Sequence, residues 1–196
     1  DRLAISTNGL VVFNYTDDDF SAPTASSQRL PTGARPNSIV APFWTDLVLG
    51  ESALGGDVYL GVVEDGAENW VVVEWWNASE YGGTSPLFTF SLWMKENSSE
   101  VFVNYSDLGA LPAALSVGIE DGTGVSGISH FYNGVGTAPV SNSSRLIDIQ
   151  AFKGTATISF DVLSDPLAVL ENGSIVAPAN GSKTVDLGSF TTAVDV

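Results

Sequence analysis

Asparagine followed two residues later by serine or threonine is the acceptor for an N-linked sugar, and seven of the eleven asparagines in this chain stand in that setting. They are Asn14, Asn77, Asn97, Asn104, Asn142, Asn172 and Asn180, and none has proline in the middle position. Serine and threonine make up about a fifth of the residues, so chance would supply roughly two such triplets. The enzyme that attaches the sugar must reach the asparagine, which places occupied acceptors on the surface of a secreted or cell-surface protein. Their spread along the chain implies a sugar-coated surface and a protein that works outside the cell.

Residues suited to other chemistry are fewer. His130 is the one histidine, set between Ser129 and Phe131. A serine–histidine–acid relay needs a nucleophile, and no Gly-x-Ser-x-Gly elbow is present, so His130 reads as a packed or surface imidazole. Glu74 and Glu80 flank Trp75-Trp76, a combination of carboxylates and rings that glycosidases also use. On one strand, however, Glu74 and Trp76 share a face with Trp70 and Val72, as in an ordinary strand with a solvated acid. Asp17, Asp18 and Asp19, the Glu120-Asp121-Gly122 turn and Asp57 offer hard oxygen ligands, with Asp17, Asp19 and Asp121 the candidates for calcium. None of these stretches follows the twelve-residue calcium loop. Gly118 to Gly127 is rich in glycine but lacks the lysine of a phosphate loop, so it reads as a turn region. The expectation is a protein that is not an enzyme, with no cofactor beyond N-linked glycans and calcium as the metal its acids would suit.

Composition narrows the partners. Twenty-three acids against seven bases give a net charge of −16, which argues against nucleic acid, whose backbone demands clustered lysine and arginine. No polybasic run is present to hold an anionic membrane surface, and no apolar run approaches the roughly 18 residues of a spanning helix. Cysteine is absent, so disulfides, thiolate metal sites and thiol nucleophiles are excluded, and the fold must rely on packing and on its partners. A chain opening Asp1-Arg2-Leu3 looks like a processed mature form or an excised fragment.

The elements that position these residues are strands. Leu3 to Thr7 and Leu10 to Phe13 flank Asn8-Gly9, which predicts a hairpin on a type I′ turn. A polar loop rich in proline follows, from about residue 14 to 37. Phe88, Phe90, Leu92 and Met94 alternate with polar residues, and so do Val101, Val103 and Tyr105, leaving Asn104 on the opposite face. Consecutive Trp75 and Trp76 must point to opposite sides of their sheet. No stretch shows helical periodicity over ten residues. Many short strands with glycine-rich turns predict an all-β fold, an antiparallel β-sandwich of jelly-roll or immunoglobulin-like type. Residues 1–150 form the sandwich, and 151–196 supply C-terminal strands that complete it or pass to a neighbouring subunit.

Three runs, Ile5-Ser-Thr-Asn-Gly-Leu-Val-Val-Phe13, Pro36-Asn-Ser-Ile-Val-Ala-Pro-Phe-Trp-Thr-Asp-Leu47 and Trp70-Val-Val-Val-Glu-Trp75, stand in a distinctive order. With Leu87 to Leu92, Val101 to Tyr105 and Val117-Gly-Ile-Glu120, the chain resembles the nidogen-type extracellular β-sandwich modules of bacterial and archaeal surface proteins and secreted proteases. The resemblance spans roughly residues 3 to 135, and it implies a non-catalytic module. Thr45 departs from the usual Pro-Phe-Trp-Asp-Asp-Leu pattern. Modules of this type usually carry a further strand before the hairpin. The sequence therefore leads us to expect a vacant strand position filled by another copy, with Lys183 to Val196 as donor and the N-terminal segment second. Such a head-to-tail contact makes the protein its own partner in a homopolymer, an extracellular filament or pilus of archaeal type. The alternative is a carbohydrate- or matrix-binding adhesion module working through exposed Trp70, Trp75 or Trp76.

Overall fold

The computed structural model describes residues 2–15, 24–50, 56–66, 68–83, 87–148, 152–156, 159–162 and 190–194, and every helix or strand among them is a strand. In chain order these are β1 (Arg2–Ser6), β2 (Leu10–Phe13), β3 (Ile39–Trp44), β4 (Leu47–Val48), β5 (Asp57–Asp65), β6 (Glu68–Glu80), β7 (Leu87–Lys95) and β8 (Glu100–Leu108). They continue with β9 (Ser116–Glu120), β10 (Gly127–Tyr132), β11 (Val135–Gly136), β12 (Ser143–Asp148), β13 (Phe152–Ala156), β14 (Ser159–Val162) and β15 (Phe190–Val194). Two sheets pack face to face as the expected all-β sandwich. The first runs β11-β10-β9-β3-β2-β1-β14; the second runs β12-β8-β7-β6-β4, with β5 also paired to β6. β13 and β15 pair with each other in a two-stranded sheet.

Strand alternation builds the core between the sheets. Val71, Val73 and Trp75 of β6, Phe88 to Met94 of β7 and Val101, Val103 and Tyr105 of β8 turn inward against Leu3, Ile5, Val11, Val40 and Phe43. Trp75 stacks on Phe90 at 5.0 Å and 14°, and Phe43 meets Phe88 and Phe90 at 5.0 Å each. Two of these aromatics carry polar tips that would be costly to bury unpaired. The Trp75 indole donates to the Ser6 carbonyl at 2.9 Å, and the Tyr105 hydroxyl donates to the Pro42 carbonyl at 2.8 Å. Both bonds run from the second sheet to the first, so they set the relation of the layers as well as satisfying the groups.

A second apolar cluster lies on the other face of the first sheet. There Ala4, Leu10, Val12, Ile39, Ala41 and Trp44 pack with Tyr15 and Leu30 from the connection between β2 and β3. Tyr15 and Leu30, from the stretch read as a polar loop, thus cover this face, and the Trp44 indole donates to the Thr24 carbonyl of the same stretch at 2.7 Å. β3 is consequently buried on both faces, which is why Ile39-Val-Ala-Pro-Phe-Trp44 is apolar without alternation. The register with β9 shifts between Ala41 and Trp44, and Pro42 sits in that irregularity, where its missing N–H costs no ladder bond.

The first hairpin differs from the expected two-residue turn. Ser6 pairs with Leu10, so the loop has three residues, and only Gly9 takes a positive φ, +77°. Asn8 is drawn inward instead. Its Oδ1 accepts the Leu47 N–H at 2.8 Å and its Nδ2 donates to Thr24 Oγ1 at 3.0 Å. With Phe43 N–H bonding to the Gly9 carbonyl and Thr45 N–H to the Asn8 carbonyl, each at 3.2 Å, the two most distinctive runs of the sequence are fastened to one another. Thr45 is buried there, so the acidic pair of the usual pattern has no counterpart.

The strand beside β1 is β14, parallel to it, with Leu3 opposite Phe160 and Ile5 opposite Val162. That position is held by residues 159–162 and not by the Lys183 to Val196 stretch expected as donor. Of that stretch, Phe190–Val194 pairs antiparallel with Phe152–Ala156, and residues 183–189 and 195–196 lie outside the described residues. The alternation Ser-Phe-Asp-Val gives β14 apolar residues at the registers of Leu3 and Ile5, both of which belong to the core.

Candidate functional site

The parity of β6 decides what the second sheet shows to solvent. Trp75 is wholly buried and Trp76 beside it is 41% exposed, the opposite-face arrangement expected of consecutive strand residues. The same parity turns Glu68, Trp70, Val72 and Glu74 outward. Register carries this across the sheet: Trp93 lies opposite Val72, Phe102 opposite Trp93, and Leu146 opposite Phe102. The adjacent row is Tyr59, Glu74, Ser91, Asn104 and Ser144.

An aromatic band results on a face that sandwiches normally keep polar. Trp70 meets Phe102 edge-on at 5.4 Å and Trp93 at 6.4 Å. The Lys95 ammonium stands 5.6 Å over the Trp70 ring and pairs with Glu68 at 2.6 Å and Glu100 at 3.3 Å. These rings floor an open groove of about 560 Å³, with Glu64, Asp65 and Glu68 toward the β5–β6 side and Asn104 and Ser144 toward β8 and β12. Apolar rings beside carboxylates suit a sugar, whose C–H faces lie on rings while its hydroxyls donate to acids.

The structure does not gather the residues weighed for acid–base work. Burial pushes the Glu74 carboxyl up, but Glu80 lies six residues on, roughly 15–20 Å along the strand, beyond the ~5–10 Å of a glycosidase pair. Burial, with the Arg145 charge second, holds the His130 imidazole below its usual range. No side-chain hydrogen bond joins His130 to a hydroxyl or carboxylate among the described residues. There is also no group of three His, Cys, Asp or Glu placed to hold a metal among them. Asp17, Asp18 and Asp19 lie outside the described residues.

Asp121, the remaining calcium candidate, is a loop staple. Its Oδ1 accepts from Thr123 Oγ1 at 2.9 Å and from the N–H groups of Thr123, Val125 and Ser126 at 3.1, 3.2 and 3.4 Å. Burial pushes its carboxyl up, but these bonds together outweigh that and hold it below its usual range. Glu120 next to it points inward, 2% exposed, and accepts the Thr32 N–H at 2.7 Å. Burial raises its carboxyl from 4.5 to about 7, partly offset by the Thr32 bond and reinforced by Asp121.

That elevation has a stability consequence. Below pH 4.5 Glu120 is protonated in folded and unfolded chains alike. As pH rises from 4.5 to about 7 the unfolded chain releases its proton first, so stability falls across that window. At about 1.4 kcal/mol per pH unit, the gap amounts to about 3 kcal/mol. Glu120→Gln is therefore expected to melt higher than the parent at pH 8, with the difference closing toward pH 4.5. Melting curves across pH check this, and a constant difference would contradict it.

Five of the seven sequon asparagines lie in described residues. Asn14, Asn97 and Asn142 are exposed and take φ of 51°, 55° and 57° at turns, and Asn77 takes 50° at the irregularity of β6. Asparagine tolerates that conformation better than most residues, which gives these four a backbone reason for being asparagine. At Asn77 the sequon hydroxyl also has a structural use, since Ser79 is buried and donates to the Val48 carbonyl at 3.4 Å. Asn104 stands apart, in mid-strand on β8 with no such backbone reason. Asn172 and Asn180 lie outside the described residues. Trp70 is among the rings the sequence offers to a sugar, whereas Phe102 is not, and its signal is its place two residues before Asn104.

Two sheets of mostly antiparallel strands packed around a buried aromatic core define a β-sandwich module. A family model described as "NIDO related" matches residues 1–161, from the first hairpin into β14, and the chain belongs to that nidogen-related family. No curated protein and no solved structure matches the chain. Family membership points to an extracellular, adhesion-type module, and no helix among the described residues is long and apolar enough to cross a membrane.

Proposed function

We propose that this chain is a non-catalytic structural unit of the cell surface whose copies join head to tail by exchanging the strand that lies beside β1. One observation carries the reading: the β1 edge of the first sheet takes a short parallel strand, residues 159–162, from the C-terminal segment. The same pairing made between copies repeats every contact already present, so exchange adds little cost, and a contact between two different patches propagates into a filament. N-linked glycans on the sequons coat that filament, and its partner is itself. The net charge of −16 supports a solvated, non-nucleic-acid role outside the membrane. The test mixes copies carrying Ala4→Cys with copies carrying Asp161→Cys, two positions in register on β1 and β14. Disulfide-linked dimers on oxidation support exchange. Persistent single-copy bands overturn it.

The aromatic groove favours a second reading, an adhesion module that binds sugar or matrix. Trp75 is removed from that reading because it is wholly buried, leaving Trp70 with Trp93 and Phe102, and Trp76 with Tyr59 at 6.2 Å.

A further inference from the structure

Among the described sequons, that of Asn104 opens into the aromatic groove. Asn104 lines it, and Phe102, two residues earlier on the same strand face, forms part of its floor. The Asn104 Oδ1 accepts the Ser144 hydroxyl from β12. That bond engages the amide oxygen and leaves Nδ2 outside it. Nδ2 makes no hydrogen bond among the described residues. The residue opposite on β7 is Ser91, whose hydroxyl accepts the Trp93 indole N–H at 2.9 Å and so draws that ring in beside Asn104. Serines thus flank Asn104 on both neighbouring strands, Ser91 buried and Ser144 exposed. The sequon hydroxyl, Ser106, is exposed.

The geometry points to Asn104 Nδ2 as the attachment point of an N-linked glycan whose first sugars lie in this groove, on Phe102 and then on Trp93 and Trp70. Attachment is a group transfer from a lipid-diphosphate-linked oligosaccharide. The bond from the anomeric carbon to the phosphate oxygen breaks, a bond from that carbon to Nδ2 forms, the diphosphate carrier leaves, and the amide nitrogen gives up one proton. The sugar then covers rings that are otherwise wetted, while Glu64, Asp65 and Glu68 lie within the same groove as hydroxyl acceptors. Asn14, Asn97 and Asn142 stand at exposed turns and are absent from this lining, so their glycans are plain decoration by comparison. The inference goes beyond strand exchange and holds whether or not copies polymerise.

The test uses the full chain made in a host that attaches N-glycans. Glycopeptide mass spectrometry is expected to find Asn104 occupied. Ser106→Ala, which removes the sequon at an exposed position, is expected to lower the melting temperature by roughly 2–4 °C. In a Phe102→Ala background the same change is expected to have a smaller effect, because the first of the three ring contacts is already gone. Phe102→Leu provides the comparison if the alanine variant folds poorly. An unmodified Asn104, or an equal loss with and without Phe102, overturns the proposal. If free oligosaccharide restores the Ser106→Ala protein in a Phe102-dependent way, the groove is a receptor for external sugar and the proposal fails.

Discussion

Trp75→Ala is expected to lower the melting temperature by roughly 8–20 °C. The ring is wholly buried, lies stacked on Phe90 at 5.0 Å and sends its indole N–H to Ser6 of the other sheet at 2.9 Å. Truncation removes a large apolar area, opens a cavity between layers and deletes a polar tie across them, together about 3–5 kcal/mol. That is a large share of a stability of about 5–15 kcal/mol. Trp76→Ala, one residue along, removes a ring that is 41% exposed and is expected to cost under about 1 kcal/mol. Thermal melts of the two variants side by side check the claim. Similar losses would mean that β6 does not turn Trp75 into the core.

Gly9→Ala is expected to be at least as damaging, for a different reason. Gly9 takes a φ of +77°, where any L side chain is strained by about 1–2 kcal/mol. A Cβ there would also overlap the Phe43 carbonyl oxygen and crowd the Phe90 ring at 3.1 Å. Relief requires the hairpin to lift from β3, breaking the Phe43-to-Gly9 bond and disturbing those of Thr45 and Leu47 to Asn8. We expect a loss above about 4 kcal/mol. Gly134 is the internal control: its φ is +86° and nothing lies within 4 Å of an added Cβ. Gly134→Ala should therefore show the conformational strain alone, about 1–2 kcal/mol. Equal effects at the two glycines, measured by denaturant unfolding, would contradict the close approach of hairpin and β3.

The contrast between these residues shows what the sequence disclosed. Alternation in Phe88 to Met94 and in Val101 to Tyr105 announced the inner faces, because a strand has a period of two and one side must be buried. Alternation also separated Trp75 from Trp76. It failed for Ile39 to Trp44, where both faces are covered and nothing alternates, and the covering residues Tyr15 and Leu30 carried no periodic signal in an irregular stretch. Asn8-Gly9 marked a hairpin correctly but not its turn, since the inward pull on Asn8 comes from Leu47 and Thr24, far along the chain. The aromatic groove was invisible for the same kind of reason. Trp70, Trp93 and Phe102 come from three strands, and only register brings them together around Asn104.

Register also underlies the proposed assembly, in which residues 159–162 are a portable strand for the β1 edge. The chain has no cysteine, so a single thiol placed on β1 and another on β14 have no competing partners. When Ala4→Cys copies and Asp161→Cys copies are mixed, adjacent strands bring the two sulfurs within disulfide reach only if a strand has crossed from one copy to the next. Strand exchange predicts a mixed dimer on a non-reducing gel, and a double variant that runs as a ladder of linked copies. A double variant that closes only on itself, with no bond between the mixed single variants, would contradict it.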